Sequence, residues 1–554
     1  MVKVRKFRYD FWLLISFMIL GLYILFMVYP LSTVVYRSVV DEETGSFSLR
    51  YIRQFFSEPY YYQTLINSFK VAIATGLASI IVGTPLAYLY TMYEVKGRKL
   101  LQFLIILSCM SAPFIGAYAW ILLLGRKGTI TTFIQKVFGF SIPSIYGFNG
   151  ILLVLTIKLF PLVFLYVSGA LKNVDNSLLE ASDNLGCSRI KRFFVIVLPL
   201  CMPSILAASM MVFMRALADF GTPLIIGEGY MTFPVIIYNQ YIGEVGTNEN
   251  FASAISVIAI IITLFFFLVQ RYLSHRYSFS MNAMHTIERK KASPIGNFFI
   301  HLYAYGVVAI SLLPQVYLVY LSFRTTSSAG IVFLEGYSLK SYQQVFSNMG
   351  GAIWNTLRIC GMALIVILIM AVLISYLVVR RRNIVNAVID SLSMIPYIIP
   401  GAVVGISLIT SFNNPYMPLV GTATIMVIAM VIRRIPYTIR SSVAILSQIP
   451  LSIDEAAESL GAGKIKILTM IIVPMMLNGI FAGAIMSWVT LITELSSSIL
   501  LYSFRTQTLN VAIYSMVAKG ADGRACALST ILMVFTVISL LVFNKFSKDG
   551  EIML

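Results

Sequence analysis

Cysteine, histidine and charge are all scarce in this chain. Five cysteines and three histidines are spread over 554 residues. Cys109, Cys187, Cys201, Cys360 and Cys526 contain no C-x-x-C pair, so neither a thiolate metal site nor a disulfide framework is expected. His275, His285 and His301 gather near the middle of the chain, which argues against an imidazole relay running through it. Neither a catalytic triad nor a zinc-ligand spacing is present, and no metal site is expected. Only 12% of residues are charged, and 58% are hydrophobic. With a mean hydropathy of +0.86, the chain lies far outside the soluble range.

What is abundant is apolar sequence. Runs of about twenty apolar residues recur along the chain, each long enough to cross roughly 30 Å of hydrocarbon as a helix. Twelve spans are predicted, near 11–34, 64–91, 100–124, 148–171, 202–225, 251–270, 298–321, 353–379, 386–411, 419–437, 475–500 and 526–544. The expected fold is an all-α polytopic membrane protein. Phe11 to Val35 is too long for a signal-peptide core and lacks a small-residue cleavage site, so it reads as the first span. The net charge of +18 invites a nucleic-acid reading, but Lys and Arg are dispersed in short loops rather than gathered in a basic domain. No nucleic-acid partner is expected. With both termini inside, the clusters Lys96-Gly-Arg98-Lys99, Arg289-Lys290-Lys291, Arg380-Arg381-Arg382 and Arg433-Arg434 all fall on the inner side, the usual positive bias.

Two segments 275 positions apart are nearly the same. Ser177-Leu-Leu-Glu180-Ala181-Ser182 continues to Gly186 and Pro199; Ser452-Ile-Asp-Glu455-Ala456-Ala457 continues to Gly461 and Pro474. In both, Glu to Gly is six residues and Gly to Pro thirteen. Phe160-Pro161 and Ile435-Pro436 precede the motifs at equal distance, and Asp219-Phe-Gly-Thr-Pro223 falls opposite Glu494-Leu-Ser-Ser-Ser498. Asn67-Ser-Phe-Lys70 and Asn355-Thr-Leu-Arg358 open spans two and eight. The chain therefore divides into two pseudo-symmetric six-helix halves in parallel orientation, 1–270 and 298–554, joined by a cytoplasmic linker over 271–297.

Each motif loop, near 173–199 and 448–474, reads as a short presented helix. Ser177 with Glu180, and Ser452 with Glu455, have capping-box spacing. Gly186 and Gly461 sit where a left-handed residue would stop a helix. About eight residues, roughly 12 Å, lie between cap and stop. Leu178, Ala181 and Leu185, and again Ile453, Ala456 and Leu460, make a narrow apolar stripe that fits a partner's groove. Pro199 and Pro474 are expected near the start of the next span. Gly461-Ala462-Gly463-Lys464 faintly resembles a phosphate loop, but Glu458 replaces its first Gly and Ile465 its Ser or Thr.

Glu-Ala-Ala, three residues, Gly, nine residues and Ile-x-Leu-Pro is the loop signature of permease subunits of bacterial ABC importers, which this chain resembles along essentially its whole length. Ser182 and Val473 are its departures from that signature. The resemblance implies a type I importer permease fold in the bacterial cytoplasmic membrane, multi-pass, with both termini cytoplasmic. It implies coupling helices carrying Ser177, Glu180, Ala181, Gly186, Pro199, Ser452, Glu455, Ala456, Ala457, Gly461 and Pro474. These would seat in two copies of an ATP-binding subunit, which would hold ATP and Mg2+ while this chain, surrounded by lipid, holds no cofactor and hydrolyses nothing. An extracytoplasmic substrate-binding protein would deliver the cargo.

Ala218-Asp-Phe-Gly-Thr-Pro223 and Thr493-Glu-Leu-Ser-Ser-Ser-Ile-Leu-Leu-Tyr502 resemble the fused permeases for ferric iron, and permeases for 2-aminoethylphosphonate, thiamine and polyamines share parts of them. Asp219, Glu494, Ser496 and Ser497 are candidate pathway residues, and the acidic pair would favour a cationic cargo. Arg215, four residues before Asp219, is an alternative neutralising partner on the same helix face. Lys158 lies inside span four, and Lys70 and Arg358 are expected to snorkel. A secondary transporter also has about twelve spans in two halves, yet has no reason to keep two docking helices. A membrane receptor or scaffold is the third reading, and the duplicated pore argues against it.

Overall fold

The structure is a computed structural model that describes residues 11–41, 44–109, 112–242, 248–276, 289–327 and 330–546. Both chain ends and linker residues 277–288, with His285, lie outside the described residues. Among those described, nine helices are long and apolar enough to cross a membrane. Two bent pairs add two more: Arg98–Cys109 with Phe114–Phe138 at 96°, and Ile384–Ile398 with Gly401–Phe412 at 112°. The remaining predicted span is the 26-residue helix Ala423–Gln448, which carries Arg433, Arg434 and Arg440. Helices dominate because hydrocarbon offers no partner for a free N–H or C=O, so each spanning segment must satisfy its own backbone. The all-α expectation holds; the described residues add a small hairpin of Arg324–Thr326 with Phe333–Tyr337 between spans seven and eight.

The span ends move in an informative way. Span five runs Phe193–Leu217 and span eleven Lys464–Ile492, each starting earlier and ending earlier than the hydropathy suggested. Pro199 and Pro474 are thus inside continuous helices, not at their starts. Each follows a five-residue π-turn, Phe193–Val197 or Leu468–Ile472, again 275 apart. Proline removes a backbone donor and its ring crowds the preceding turn, and a locally wider turn accommodates both. Past Leu217 and Ile492 the chain breaks, resumes as Gly221–Ile226 or Ser498–Leu501, and later re-enters as the helices Phe233–Ile242 and Leu509–Ala518. At ten residues each, these re-entrant helices are too short to register as spans.

The repeated Asn-Ser/Thr pairs hold those re-entrant pieces. Asn67 Nδ2 donates to Met231 O at 3.0 Å, and Ser68 Oγ accepts from Phe233 N at 2.9 Å. Asn355 Nδ2 donates to Arg505 O at 2.9 Å, and Thr356 Oγ1 accepts from Leu509 N at 2.7 Å. Within each half, span two packs on four and five, while span eight packs on ten and eleven. Lys70 and Arg358 are exposed.

The halves are interlocked rather than side by side. Span one, Phe11–Ser38, lies against the second half: Trp12 meets Tyr376 at 4.7 Å between ring centroids, and Phe26 meets Phe412 at 5.8 Å. Span seven, Pro294–Ser322, reciprocates against spans two and three, with Tyr303 Oη donating to Val82 O at 2.9 Å.

Close packing of spans two and four depends on Gly83, where an added Cβ would come 2.8 Å from both Phe160 O and Val163 Cβ. Gly83→Val is expected to lower the thermal unfolding midpoint of the purified chain, by an overpacking cost of about 1–3 kcal/mol. Gly21→Val, with no atom within 4 Å of its Cβ, should leave the midpoint nearly unchanged.

Candidate functional site

The two motif helices are Asn176–Asn184 and Ser452–Ser459. Both connections follow an even-numbered span, so both emerge at the same end of the bundle. Their stops are as the sequence indicated. Gly186 has φ +73° and Gly461 φ +81°. Cys187 N donates to Ser182 O at 3.0 Å, and Ala462 N to Ala457 O at 3.0 Å, the six-to-one bond of a Schellman ending.

Their starts are not capping boxes. Ser452 is already the first helical residue, after Leu451 in helical geometry with no side-chain cap, so its hydroxyl is past the position from which it could cap. In the first copy Asp175 Oδ1 accepts from Ser177 N at 3.0 Å, and Asn176 Nδ2 donates to Glu180 Oε1 at 2.6 Å. Aspartate two residues earlier takes the role assigned to serine.

One face of each helix is anchored: Leu179 and Ser182 in the first, Asp454 and Ala457 in the second, are buried at matching positions. Ser182, the departure from the signature, faces its own bundle and satisfies its hydroxyl on Leu179 O at 2.7 Å. The other face is open. Glu180, Ala181, Glu455 and Ala456 are exposed, and Leu185 and Leu460 are almost fully so. The anchors differ in kind. Asp454 Oδ2 is 3.2 Å from Arg380 Nε, and Arg380 Nη2 donates to Ile449 O at 2.9 Å; the first half has Leu179 at the position of Asp454.

The candidate pathway residues lie at the breaks after spans five and eleven. Asp219 Oδ1 accepts from Thr222 N at 2.9 Å, which starts the short helix, and its Oδ2 is 3.7 Å from Lys158 Nζ. Lys158, whose role the sequence left open, is therefore the ion-pair partner of Asp219; Arg215, the alternative partner, is not within ion-pair distance of it among the described residues. Glu494 is buried and fully engaged. Arg433 and Arg434 both donate to it, Ser496 Oγ donates to its Oε1 at 2.8 Å, and Ser497 N does so at 3.1 Å. Asn510 Nδ2 caps the broken end of span eleven, donating to Ile492 O at 2.7 Å and Glu494 O at 3.1 Å. Asp219 and Glu494 thus offer little free negative charge to a cation, contrary to the expectation.

Arg433 and Arg434 are also displaced from their expected place. The sequence places them in an inner loop, yet they sit in the middle of Ala423–Gln448. The offset of 275 that relates the motifs also relates Lys158 to Arg433, and that signal would have found them. Gly401, at the bend of span nine, lies where any Cβ would collide with Ser496 Oγ and Arg433. Gly221 faces Phe114 of span three and Leu495 of the other half. The bends of spans three and nine and the ends of spans five and eleven converge here.

Removing the carboxylate strands two buried guanidinium groups. Glu494→Ala should therefore cost about 3–5 kcal/mol of stability, read as a lower thermal midpoint of the purified chain. Asp219→Ala, which removes a longer and less buried pair, should cost less in the same assay.

The family described as binding-protein-dependent transport system inner membrane component matches this chain twice, over residues 79–279 and 363–548. The chain is 28% identical to the ferric transport system permease protein FbpB of Actinobacillus pleuropneumoniae, over 95% of this chain and 77% of the relative. It is 24% identical to the Fe(3+)-transport system permease protein FbpB 2 of Haemophilus influenzae, over 98% and 99%. A putative 2-aminoethylphosphonate transport system permease protein of Salmonella typhimurium, PhnU, is 24% identical over 48% of this chain and 92% of its own length. With the same family matched in each of two repeats that together span most of the sequence, the chain belongs to the inner-membrane permeases of binding-protein-dependent ABC importers.

Proposed function

We propose that this permease forms the translocation pathway for ferric iron, delivered by an extracytoplasmic binding protein and driven by two copies of an ATP-binding subunit. The observation that carries the cargo assignment is coverage. Likeness to the two ferric permeases runs through 95% and 98% of the chain, whereas likeness to the phosphonate permease stops at about half. Both termini, the linker within 271–297 and the two motif helices then face the cytoplasm, and the halves 1–270 and 298–554 surround the pathway.

In this reading Asn176–Asn184 and Ser452–Ser459 are the coupling helices, with Glu180 and Glu455 presented to the ATP-binding subunits. Support comes from geometry: each helix is anchored on one face and open on the other, with an exposed leucine before its terminal glycine. A groove that closes on ATP can drive such helices only by binding one arrangement of the bundle better than the other. ATP and Mg2+ belong to those subunits. In this reading hydrolysis lies with them too, and Gly461-Ala462-Gly463-Lys464 serves here as helix stop and turn.

Uptake of radiolabelled ferric iron into proteoliposomes containing the chain, its ATP-binding subunit and its binding protein tests the proposal. Saturable uptake requiring ATP and both partners is expected. Uptake of 2-aminoethylphosphonate, thiamine or a polyamine instead would discard iron, and uptake without ATP would revive a secondary transporter. Glu180→Ala and Glu455→Ala should each reduce ATP-driven uptake about tenfold, a coupling loss within the ordinary range. Insertion should be unchanged, and the double variant should be worse than either single one.

A further inference from the structure

The convergence of broken spans carries more positive charge than it needs. Lys158–Asp219 and Arg433–Glu494 are ion pairs related by the internal repeat, so each half contributes one balanced pair. Two further cations break that symmetry. Arg434 adds a second guanidinium at Glu494 where the first half has Leu159, and Arg215 stands where the second half has Thr490. Among the described residues Arg215 has no carboxylate within ion-pair distance. Its guanidinium lies beside the phenols of Tyr397 and Tyr437 across the boundary between halves, whose rings are 5.5 Å apart. Arg215 lies in the last turn of span five, four residues before the Asp219 that pairs with Lys158, and both it and Arg434 act electrostatically on Lys158. Four cationic side chains therefore stand against two carboxylates, and only three of them are paired among the described residues.

Accessibility divides by sign. The Asp219 and Glu494 side chains are 8% and 1% exposed, whereas those of Lys158, Arg433 and Arg434 are 21%, 12% and 16% exposed. The Nε atoms of Arg433 and Arg434 are buried without a partner. The carboxylates are spent on fixing the cations, and the cations keep what opening there is. Unbalanced charge within a membrane protein is costly and marks a site. Guanidinium forks match oxyanions in pairs, and basic side chains are what lines anion-conducting pores.

We infer that Lys158, Arg215, Arg433 and Arg434 form an oxyanion site in the translocation pathway, and that cargo passes it with net negative charge. The inference rests on the importer reading and deepens it: ferric iron crosses as an anionic complex with carboxylate or phosphate oxygens rather than as a bare cation. Asp219 and Glu494 act as positioning residues, and the asymmetric pair Arg215 and Arg434 supplies the excess.

The test needs no iron. The full chain with its ATP-binding subunits, in lipid nanodiscs, is titrated with 32P-labelled inorganic phosphate and separately with labelled citrate, with and without ATP. Saturable binding of either anion in one nucleotide state is expected, competed by sulfate and not by potassium or choline at matched ionic strength. Arg215→Gln should weaken it about tenfold, the value of one charge-assisted hydrogen bond, and Arg215→Lys should restore it. Arg215 holds no carboxylate, so neither change strands an acid; an unchanged thermal midpoint verifies folding. If Arg215→Gln does not assemble, the competition series on the unaltered complex decides alone. Absence of saturable binding of both anions in both nucleotide states overturns the inference, as does equal binding by a folded Arg215→Gln complex. A parallel uptake assay with ferric citrate separates the two readings. Anion binding without iron uptake removes iron and keeps the site, while iron uptake without anion binding removes the site and keeps the importer.

Discussion

Everything in this molecule answers to one constraint: a helix interrupted inside hydrocarbon exposes backbone groups that only protein can satisfy. Among the described residues spans three and nine are bent and spans five and eleven end in short separate helices, and the constraint is met differently at each end. Asp219 accepts from Thr222 N and Glu494 from Ser497 N, which starts the short helices beyond the breaks. Asn510 closes the carbonyl end at Ile492. Carboxylates used in this way need cations, and Lys158, Arg433 and Arg434 provide them. The polar centre is a consequence of the breaks.

Much of this was legible in the sequence, for a physical reason. Apolar runs report spans directly, and a repeat offset of 275 positions reports a duplicated half without any structural knowledge. The glycine stops were also legible, because Gly186 and Gly461 need a backbone conformation that few other residues tolerate. What was not legible depended on tertiary partners. Arg433 and Arg434 look like loop charges, since hydropathy penalises them equally whether they face water or Glu494. The serines at 177 and 452 have cap spacing, but the true helix start was decided by Asp175 and by the Leu451 backbone. Pro199 and Pro474 suggest a boundary, and the π-turns before them instead carry the helix through.

The motif helices and the polar centre are connected by continuous elements. Span five runs from its π-turn to the break before Asp219, and span eleven from its π-turn to the break before Glu494. Each motif helix is thus joined, through one short turn, to the helix that ends at the ion-paired centre. Each π-turn is a weak point in its helix, since one extra residue per turn loosens the hydrogen-bond ladder. The two sides are not identical in their footing, because Arg380–Asp454 grips one motif helix electrostatically while Leu179 holds the other by apolar burial.

The exchange of arms between halves alters what covalent continuity is for. Span one is committed to the second half through Trp12, Phe26 and Tyr29, and span seven to the first through Tyr303 and Tyr305. A cut between spans six and seven would release two fragments that remain clasped, because each grips the other by a full membrane-spanning helix. The peptide linker thus fixes stoichiometry, one of each half and never two alike, while cohesion comes from the clasp. That guarantee lets each half keep its own unpaired features, such as Arg215 or Arg434, which identical subunits would have to duplicate.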